Sequence, residues 1–182
     1  FPGVRTLRMD ADTTKTKDSY ERILSAFSNE QADVLIGTQM IVKGHDFPKV
    51  TLVGVLAADI SLSAGDYRAG EKTFQLLTQA VGRAGRGTLP GEAVIQTYQP
   101  DHYAVVNAAR QDYESFYSEE ILYREMLGYP PAAHMLAVQI FSKEEERGKE
   151  LAERLAAETG GGGMPRQGSR RTGAETVMIG PA

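Results

Sequence analysis

The sequence predicts an α/β domain with a mostly parallel sheet, followed by a smaller α+β unit. Over the first hundred residues, short apolar runs alternate with segments whose apolar residues recur at helical spacing, which is the pattern of β–α–β units. The run VTLVGVL at 50–56 is apolar at nearly every position, as expected of a parallel strand covered on both faces. The string GYPP at 128–131 breaks the helical pattern before a second strand–helix succession begins.

The elements of the first region follow from apolar spacing. A helix is predicted around Tyr20 to Phe27, whose apolar residues recur at i, i+3, i+4 and i+7, with its cap in the string DTT at 12–14. A second helix is predicted at 69–81 on the same grounds. Short apolar or β-branched runs predict strands at 4–8, 34–37, 50–56 and 92–97.

The character of the chain changes after Pro100. Residues 101–127 are rich in Tyr, Glu and Ala at helical spacing, which predicts one or two helices. Beyond the break, the patterns predict a strand at 135–141, a charged amphipathic helix at 142–158, a flexible and mildly basic loop at 160–173, and a strand at 176–179. These patterns predict a first domain at 1–100, a helical connector at 101–130 and the start of a truncated α+β domain at 131–182.

Composition excludes several classes of protein. The 182 residues contain no cysteine, so they hold neither a disulfide scaffold nor a thiolate zinc or iron–sulfur site. No apolar run approaches the roughly 18 residues that span a membrane. The formal net charge is −4, so contact with nucleic acid is expected to be local rather than a basic coat. Because the chain opens on Phe1 without a starting methionine or a signal-peptide core, we expect it to be cut from a larger protein.

The sharpest cluster of candidate functional residues is QAVGRAGRG at 79–87. Continued as a helix, it places Gln79, Arg83 and Arg86 within about 60° of one another on one face. The rigid donor fork of arginine matches phosphate oxygens, so two such forks suit the charge that develops during phosphoryl transfer. The structural alternative is that the glycines stop the helix and the arginines interact with its negative end.

A second cluster, GTQMIVKGHDFPKV at 37–50, lies between two predicted strands. Thr38 and Gln39 directly follow the first strand, at the carboxyl end where α/β domains bind ligands, and a hydroxyl with backbone N–H groups there suits a nucleic-acid phosphate. The polar turn KGHD at 43–46 offers Asp46 either to a ribose hydroxyl or as a turn-capping residue. No acid–base pair is found around the histidines at 45, 102 and 134, and no metal site is predicted.

Together the two clusters resemble motifs V and VI of superfamily 2 helicases, with a strand and a helix between them. Three flanking strings, RMDADTT, DYRAGEKTFQLLTQ and LGYPP, are similar to the PriA family of bacterial replication-restart helicases (primosomal protein N′). The resemblance covers residues 1–158 and the last few. The family pattern reads QVAGRAGR, and the swapped pair Ala80-Val81 is not expected to move the arginines. The resemblance implies a RecA-like second helicase lobe.

The resemblance also implies which residues contact the nucleotide. Arg86 is the implied main arginine finger on the γ-phosphate of ATP, and Arg83 assists it. Gln79 orients near the nucleotide. Asp46 meets the ribose or relays between the two lobes, and Gly44 permits the close turn.

The implied DNA contacts are Thr38, which holds a backbone phosphate, and with it Gln39 and Lys43. The sequence contains no G-x-x-x-x-G-K-[ST] loop and no DEAH-like string. The first lobe, which cradles the ATP phosphates and holds Mg²⁺, is therefore expected outside these residues, as are the zinc sites of the family. The isolated chain is expected to be inactive for this reason.

The implied function is ATP-dependent 3′ to 5′ DNA unwinding in replication restart and primosome assembly, in the bacterial cytoplasm at the nucleoid. The implied partners are single-stranded and forked DNA, the first helicase lobe of the same polypeptide, replication-restart proteins and single-stranded DNA-binding protein, with no membrane. Two alternatives stay open. One is another superfamily 2 motor, such as a branch-migration helicase. The other is a non-enzymatic α/β adaptor whose arginines form structural ion pairs.

Overall fold

The structure is a computed structural model that describes residues 2–42, 47–86, 89–158, 165–166 and 174–179. The chain divides into two compact units, Phe1–Phe116 and Tyr117–Ala182. The division falls inside a helix. The domain boundaries that composition indicates, at residues 100 and 130, stay a prediction.

Two pairs of parallel strands form the sheet structure described for the first unit. Met9 lies opposite Gly37 in the first pair, and Val55 lies opposite Ile95 in the second. All four strands occur where the sequence predicts strands, and their parallel pairing agrees with an α/β fold. The strands are β1 (Thr6–Met9), β2 (Val34–Gly37), β3 (Leu52–Val55) and β4 (Glu92–Ile95).

The helices of this unit include one that the sequence patterns did not predict, the short α2. The predicted connector at 101–130 contains two helices, the second of which continues into the other unit. The helices are α1 (Lys17–Ser28), α2 (Asp59–Leu62), α3 (Ala69–Val81), α4 (Tyr103–Ala109) and α5 (Tyr113–Leu127), with a 3₁₀ turn at Gln39–Val42.

The cap of α1 differs from the predicted one. Thr16 caps the helix through a reciprocal capping box with Ser19, in which each side chain accepts a hydrogen bond from the other residue's backbone N–H. The hydroxyls of Thr13 and Thr14 instead donate to the carbonyl of Asp10. These residues therefore close the turn after β1, and the predicted cap within 12–14 is wrong.

The core of the first unit lies between α3, α4 and the start of α5. The rings of Phe74 and Phe116 stack at 4.0 Å between centroids with an angle of 11°. Leu77, Val105 and Ala108 are buried in the same cluster, so the periodicity that predicts α3 correctly identifies its inner face. Burying a phenylalanine of this kind contributes roughly 1.5–3 kcal/mol.

One face of the parallel pair β3–β4 is open. Leu52 in β3 is 61% exposed and Val94 in β4 is 50% exposed, while Val55 and Ile95 pack against the core. The prediction that the run at 50–56 is covered on both faces is therefore wrong for this chain. The described helices pack on one face only of that pair, which leaves every second strand residue outside.

The second unit is built on a three-stranded antiparallel sheet in the order β5 (Leu136–Phe141), β7 (Ala174–Ile179) and β6 (Pro165–Arg166). Ile140 and Ala152 are buried together, with Val138 and Leu155 packed against them. The predicted loop at 160–173 contains the short strand β6, which is a correction, while residues 160–164 and 167–173 lie outside the described residues. The helix α6 (Glu145–Glu158) lies between β5 and β6 along the chain.

Candidate nucleotide and DNA site

The motif GRAGR at 82–86 forms a turn after α3 and does not continue that helix. α3 ends at Val81, and the N–H groups of Arg83 and Ala84 donate to carbonyls three residues earlier, at 3.0 and 3.2 Å. Bonds of this type tighten the last turn of a helix. The prediction that Gln79, Arg83 and Arg86 share one helical face is therefore wrong, because only Gln79 belongs to the helix.

Two glycines set the path of this turn. Gly85 has φ +70°, a conformation that L side chains rarely adopt. A Cβ on Gly85 would lie 2.6 Å from the backbone nitrogen of Gly91, and a Cβ on Gly91 would lie 2.0 Å from that of Gly85. The two backbones touch, so neither position has room for a side chain. The turn is thereby held against the segment that enters β4.

The turn carries both arginines. Arg86 is exposed, and its Nε donates to the carbonyl of Gly82 at 2.7 Å. Arg83 is half-buried, with its Nε in the interior, and Gln79 is exposed in the last turn of α3. The Arg86 bond fixes the root of its guanidinium to a rigid backbone. An exposed arginine on such a base suits phosphate recognition, because little side-chain freedom is lost on binding.

Thr38 and Gln39 lie where the sequence predicts them, directly after β2, and both are exposed. The carbonyl of Thr38 accepts a hydrogen bond from Ile41 at 3.1 Å, which opens the 3₁₀ turn. Gly37 permits the close packing of β1 and β2, since a Cβ there would lie 2.2 Å from the carbonyl oxygen of Met9. The predicted site residues Lys43, Gly44 and Asp46 lie outside the described residues.

The segments around motifs V and VI meet at the start of β3. The N–H of Gly85 donates to the carbonyl of Val50 at 3.1 Å. On the other side, the ring of Phe47 packs edge-on against Phe27 of α1, with centroids 5.0 Å apart, and Lys49 forms an ion pair with Glu30. The chain leaving motif V is thus tied to α1 and to the turn at 82–86, which we call the arginine turn.

Sequence reasoning missed one residue that supports the turn. Gln111, between α4 and α5, donates through Nε2 to the carbonyls of Thr78 at 3.1 Å and Ala108 at 3.2 Å. It adds a second hydrogen bond to the Thr78 carbonyl, which also accepts the N–H of Gly82 at 3.0 Å. A glutamine 33 positions away along the chain gives no local signal of this contact.

Electrostatic contacts also hold the start of α3. The Asp66 carboxylate forms ion pairs with Lys72 and Arg68 and accepts the N–H of Arg68 at 3.0 Å. These contacts hold the pKa of the Asp66 carboxyl well below its usual range, the Lys72 hydrogen bond being the largest cause.

Within the described residues, no group of three or more His, Cys, Asp or Glu side chains is placed to hold a metal ion. None of the described helices is long and apolar enough to cross a membrane.

Residues 2–88, which contain both motifs, match the family described as Helicase conserved C-terminal domain. The whole chain is 45% identical to the replication restart protein PriA of Bacillus subtilis (strain 168) and covers 22% of that protein. It is 48% identical over 155 residues to PriA of Chlamydia pneumoniae, which is 85% of this chain and 21% of that protein. Over 156 residues it is 42% identical to PriA of Synechocystis sp. (strain ATCC 27184 / PCC 6803 / Kazusa), 86% of this chain and 19% of the relative.

Over its whole length the chain is similar to PriA proteins. It spans about a fifth of the length of these relatives. The match at 2–88 also confirms the RecA-like α/β fold class of the first unit. The similarity to PriA proteins favours the PriA-like helicase interpretation over the branch-migration and adaptor alternatives. The individual roles of the site residues stay predictions.

Proposed function

We propose that the chain supplies the second motor lobe of an ATP-dependent DNA helicase that moves 3′ to 5′ in replication restart and primosome assembly. The similarity to PriA proteins and the match to the Helicase conserved C-terminal domain support the helicase class. The observation that carries the catalytic part is the arginine turn. In this turn the exposed Arg86 is anchored by its 2.7 Å hydrogen bond to the carbonyl of Gly82, and the backbone of Gly85 packs against that of Gly91.

In this proposal the arginine turn faces the triphosphate of ATP. Arg86 stabilises the charge that develops on the γ-phosphate, Arg83 assists, and Gln79 orients near the nucleotide. Gly44 and Asp46 complete this wall of the site at the ribose. A guanidinium serves here because its donor fork matches phosphate oxygens and keeps its charge at every working pH.

A first lobe of the same polypeptide supplies the other wall of the ATP site. It carries the phosphate-cradling loop and the Mg²⁺ ligands, since these 182 residues contain no G-x-x-x-x-G-K-[ST] string and the described residues offer no acidic cluster for a metal. Mg²⁺ would neutralise charge on the β- and γ-phosphates. The zinc sites of the family are likewise assigned outside this chain, which has no cysteine.

The grip on DNA is assigned to the segment after β2. The exposed hydroxyl of Thr38 donates to a phosphate of the single strand, with Gln39 and Lys43 beside it. The cleft between the two lobes closes when ATP binds and opens after hydrolysis. Each cycle then moves this DNA grip relative to the grip of the first lobe. The hydrogen bond from Gly85 to Val50 supports such coupling, because it joins the arginine turn to the chain that leaves motif V.

The proposed partners are single-stranded and forked DNA, replication-restart proteins and single-stranded DNA-binding protein, met at the bacterial nucleoid. The net charge of −4 is compatible with this assignment, because a helicase lobe contacts DNA through a local strip rather than a basic coat.

The decisive experiment replaces Arg86 with alanine in the complete enzyme. Loss of an arginine finger lowers turnover by roughly 10³- to 10⁵-fold, so DNA-stimulated ATP hydrolysis is expected to fall by that order while affinity for single-stranded DNA stays within about twofold. Arg86→Lys is expected to recover little, since lysine lacks the bidentate fork.

The matched control is Arg22→Ala, which removes an exposed arginine from α1, outside both motifs. Turnover in that variant is expected to equal that of the wild type. A normal turnover number in Arg86→Ala would remove the arginine-finger assignment.

A further inference from the structure

The carboxyl ends of β3 and β4 are joined by a hydrogen-bonded cluster outside motifs V and VI. Both oxygens of the Asp59 carboxylate accept the N–H of Tyr98, at 3.1 and 3.0 Å, and one of them also accepts the hydroxyl of Thr97. The Thr97 hydroxyl in turn accepts the N–H of Gln99 at 3.0 Å. One aspartate therefore orders three successive residues after β4.

The backbone on the β3 side is also tightly constrained. Gln96 donates to the carbonyl of Val55 at 2.8 Å, and its own carbonyl accepts the N–H of Ala58 at 3.1 Å. Ala57 between them has φ +52°, which is unfavourable for any residue with a Cβ. Backbone strain of this kind persists only where the surroundings impose it, and it concentrates at functional sites.

This ordered loop presents an almost fully exposed aromatic ring. Tyr98 is 93% exposed, although its backbone nitrogen is held by two contacts. Tyr103, five positions later, instead packs its ring against the core. The two neighbouring tyrosines therefore have opposite environments. Leu56 and Ile60, which follow β3, are 78% and 76% exposed. A rigid backbone that holds apolar side chains in solvent is typical of a binding surface rather than of a core.

The chemistry around Tyr98 fits a nucleobase. A tyrosine face stacks on any base, and such contacts occur where single-stranded nucleic acid is bound without sequence preference. The exposed amides of Gln96 and Gln99 flank the ring along the chain and can donate to and accept from base edges. The Asp59 carboxylate accepts the N–H of Tyr98 and the hydroxyl of Thr97 and keeps its negative charge, which disfavours a phosphate beside the ring and favours an uncharged base there. Tyr98 follows the carboxyl end of a parallel strand, as Thr38 does, and ligands of α/β domains bind at such ends.

We propose that Tyr98 is a stacking platform for a base of single-stranded DNA, and that Asp59 and Thr97 are positioning residues that fix its ring. The proposal rests on the DNA-helicase function proposed above and adds a base contact to the phosphate grip of Thr38. It requires no charge on the protein, so its share of the affinity is expected to be insensitive to salt, unlike phosphate contacts.

The test uses the complete enzyme and a dT oligonucleotide that carries one 2-aminopurine, whose fluorescence falls when it stacks on an aromatic ring. Wild type and Tyr98→Phe are expected to quench the probe equally. Tyr98→Ala is expected to lose the quenching and to bind the oligonucleotide about tenfold more weakly. Asp59→Ala is expected to reduce quenching partly, because the ring stays but its backbone is released. Tyr123→Ala, which removes a 48% exposed tyrosine from α5, is the matched control and is expected to behave as wild type.

An abasic strand separates stacking from a general structural effect. On an oligonucleotide without bases, wild type and Tyr98→Ala are expected to bind equally, since no base remains to stack. Unchanged quenching and affinity in Tyr98→Ala, while Thr38→Val weakens binding, would overturn the inference and leave the proposed function in place. Loss of a protein partner by Tyr98→Ala with DNA binding intact would overturn it in favour of a protein-docking role. If the wild-type enzyme does not bind the oligonucleotide, the proposed function itself is contradicted.

Discussion

The backbone N–H of Gly85 donates to the carbonyl of Val50 at 3.1 Å, and this bond ties the arginine turn to the chain entering β3. The turn therefore does not depend on α3 alone for its position. The turn also contacts the backbone of Gly91, which lies too close to Gly85 for a Cβ on either residue. Position 85 thus requires glycine for two separate reasons, a left-handed φ and lack of space.

Gly85→Ala is expected to lower the free energy of unfolding by about 2–5 kcal/mol. Roughly 1–2 kcal/mol comes from the left-handed conformation, and overpacking against Gly91 adds about 1–3 kcal/mol. Gly65→Ala is the matched control, because Gly65 has φ +64° and nothing within 4 Å of an added Cβ. Urea unfolding of both variants isolates the packing part. Equal losses in the two variants would show that the close approach to Gly91 has no energetic weight.

Loss of the Thr38 hydroxyl is expected to weaken binding of single-stranded DNA. A hydrogen bond to a charged phosphate contributes about 1.5–3 kcal/mol, so Thr38→Val should raise the Kd by about tenfold or more in an anisotropy titration. Thr38→Ser keeps the hydroxyl and should bind like wild type. Because no charge is removed, the slope of log K against log salt should stay the same, whereas Lys43→Ala should reduce it by about one. Wild-type affinity in Thr38→Val would remove the phosphate contact.

The elements that sequence predicts well are those with a long apolar period. α3 repeats its apolar residues over three turns, and its inner residues Phe74 and Leu77 are indeed buried. α2 has only four residues, too few for any periodicity to appear. α3 ends at Val81, as its apolar spacing predicts, and only the extension of the helix through Arg83 and Arg86 is wrong. Long-range contacts such as Gln111 to Thr78 are set by packing of separate elements and leave no local trace.

Within the candidate site, the same distinction decides what could be predicted. The composition of GRAGR predicts exposed arginines near a helix end, and Arg86 is exposed there. Its orientation depends on the 2.7 Å bond to Gly82 and on contact with Gly91, which only the folded chain brings together. Tyr98 could not be selected from sequence, because its exposure and the contacts of Asp59 with its backbone N–H appear only in the folded chain.

Breaking the ion pair between Glu120 and Arg124 is expected to destabilise the second unit. Both side chains are largely buried, at 9% and 11% exposure, and Arg124 also donates to the carbonyl of Pro130 at 2.9 Å. Glu120→Ala leaves a buried guanidinium without its carboxylate, which costs about 3–5 kcal/mol. Glu145→Ala breaks the exposed pair with Lys149 and should cost less than about 0.5 kcal/mol. Urea unfolding measures both, and similar small losses would contradict a structural role for the buried pair.

The contact between Arg5 and Asp33 is expected to make stability fall in acid. The Asp33 carboxylate accepts three hydrogen bonds from Arg5. One comes from its backbone N–H at 2.9 Å, and two come from its guanidinium nitrogens at 3.1 and 2.6 Å. The guanidinium hydrogen bond is the largest cause that lowers the pKa of Asp33 from 3.8 to about 2. Because the folded pKa lies below the unfolded one, the unfolded chain takes up the proton first as pH falls. The stabilisation is therefore fully present above pH 3.8 and is lost as pH falls towards about 2.

In thermal unfolding, Asp33→Asn should have a lower Tm than wild type at pH 6, and the Tm values of the two proteins should converge near pH 2. Asp18→Asn, in the exposed first turn of α1, is the control for loss of one negative charge. A Tm difference between wild type and Asp33→Asn that stays constant from pH 6 to pH 2 would contradict the linkage.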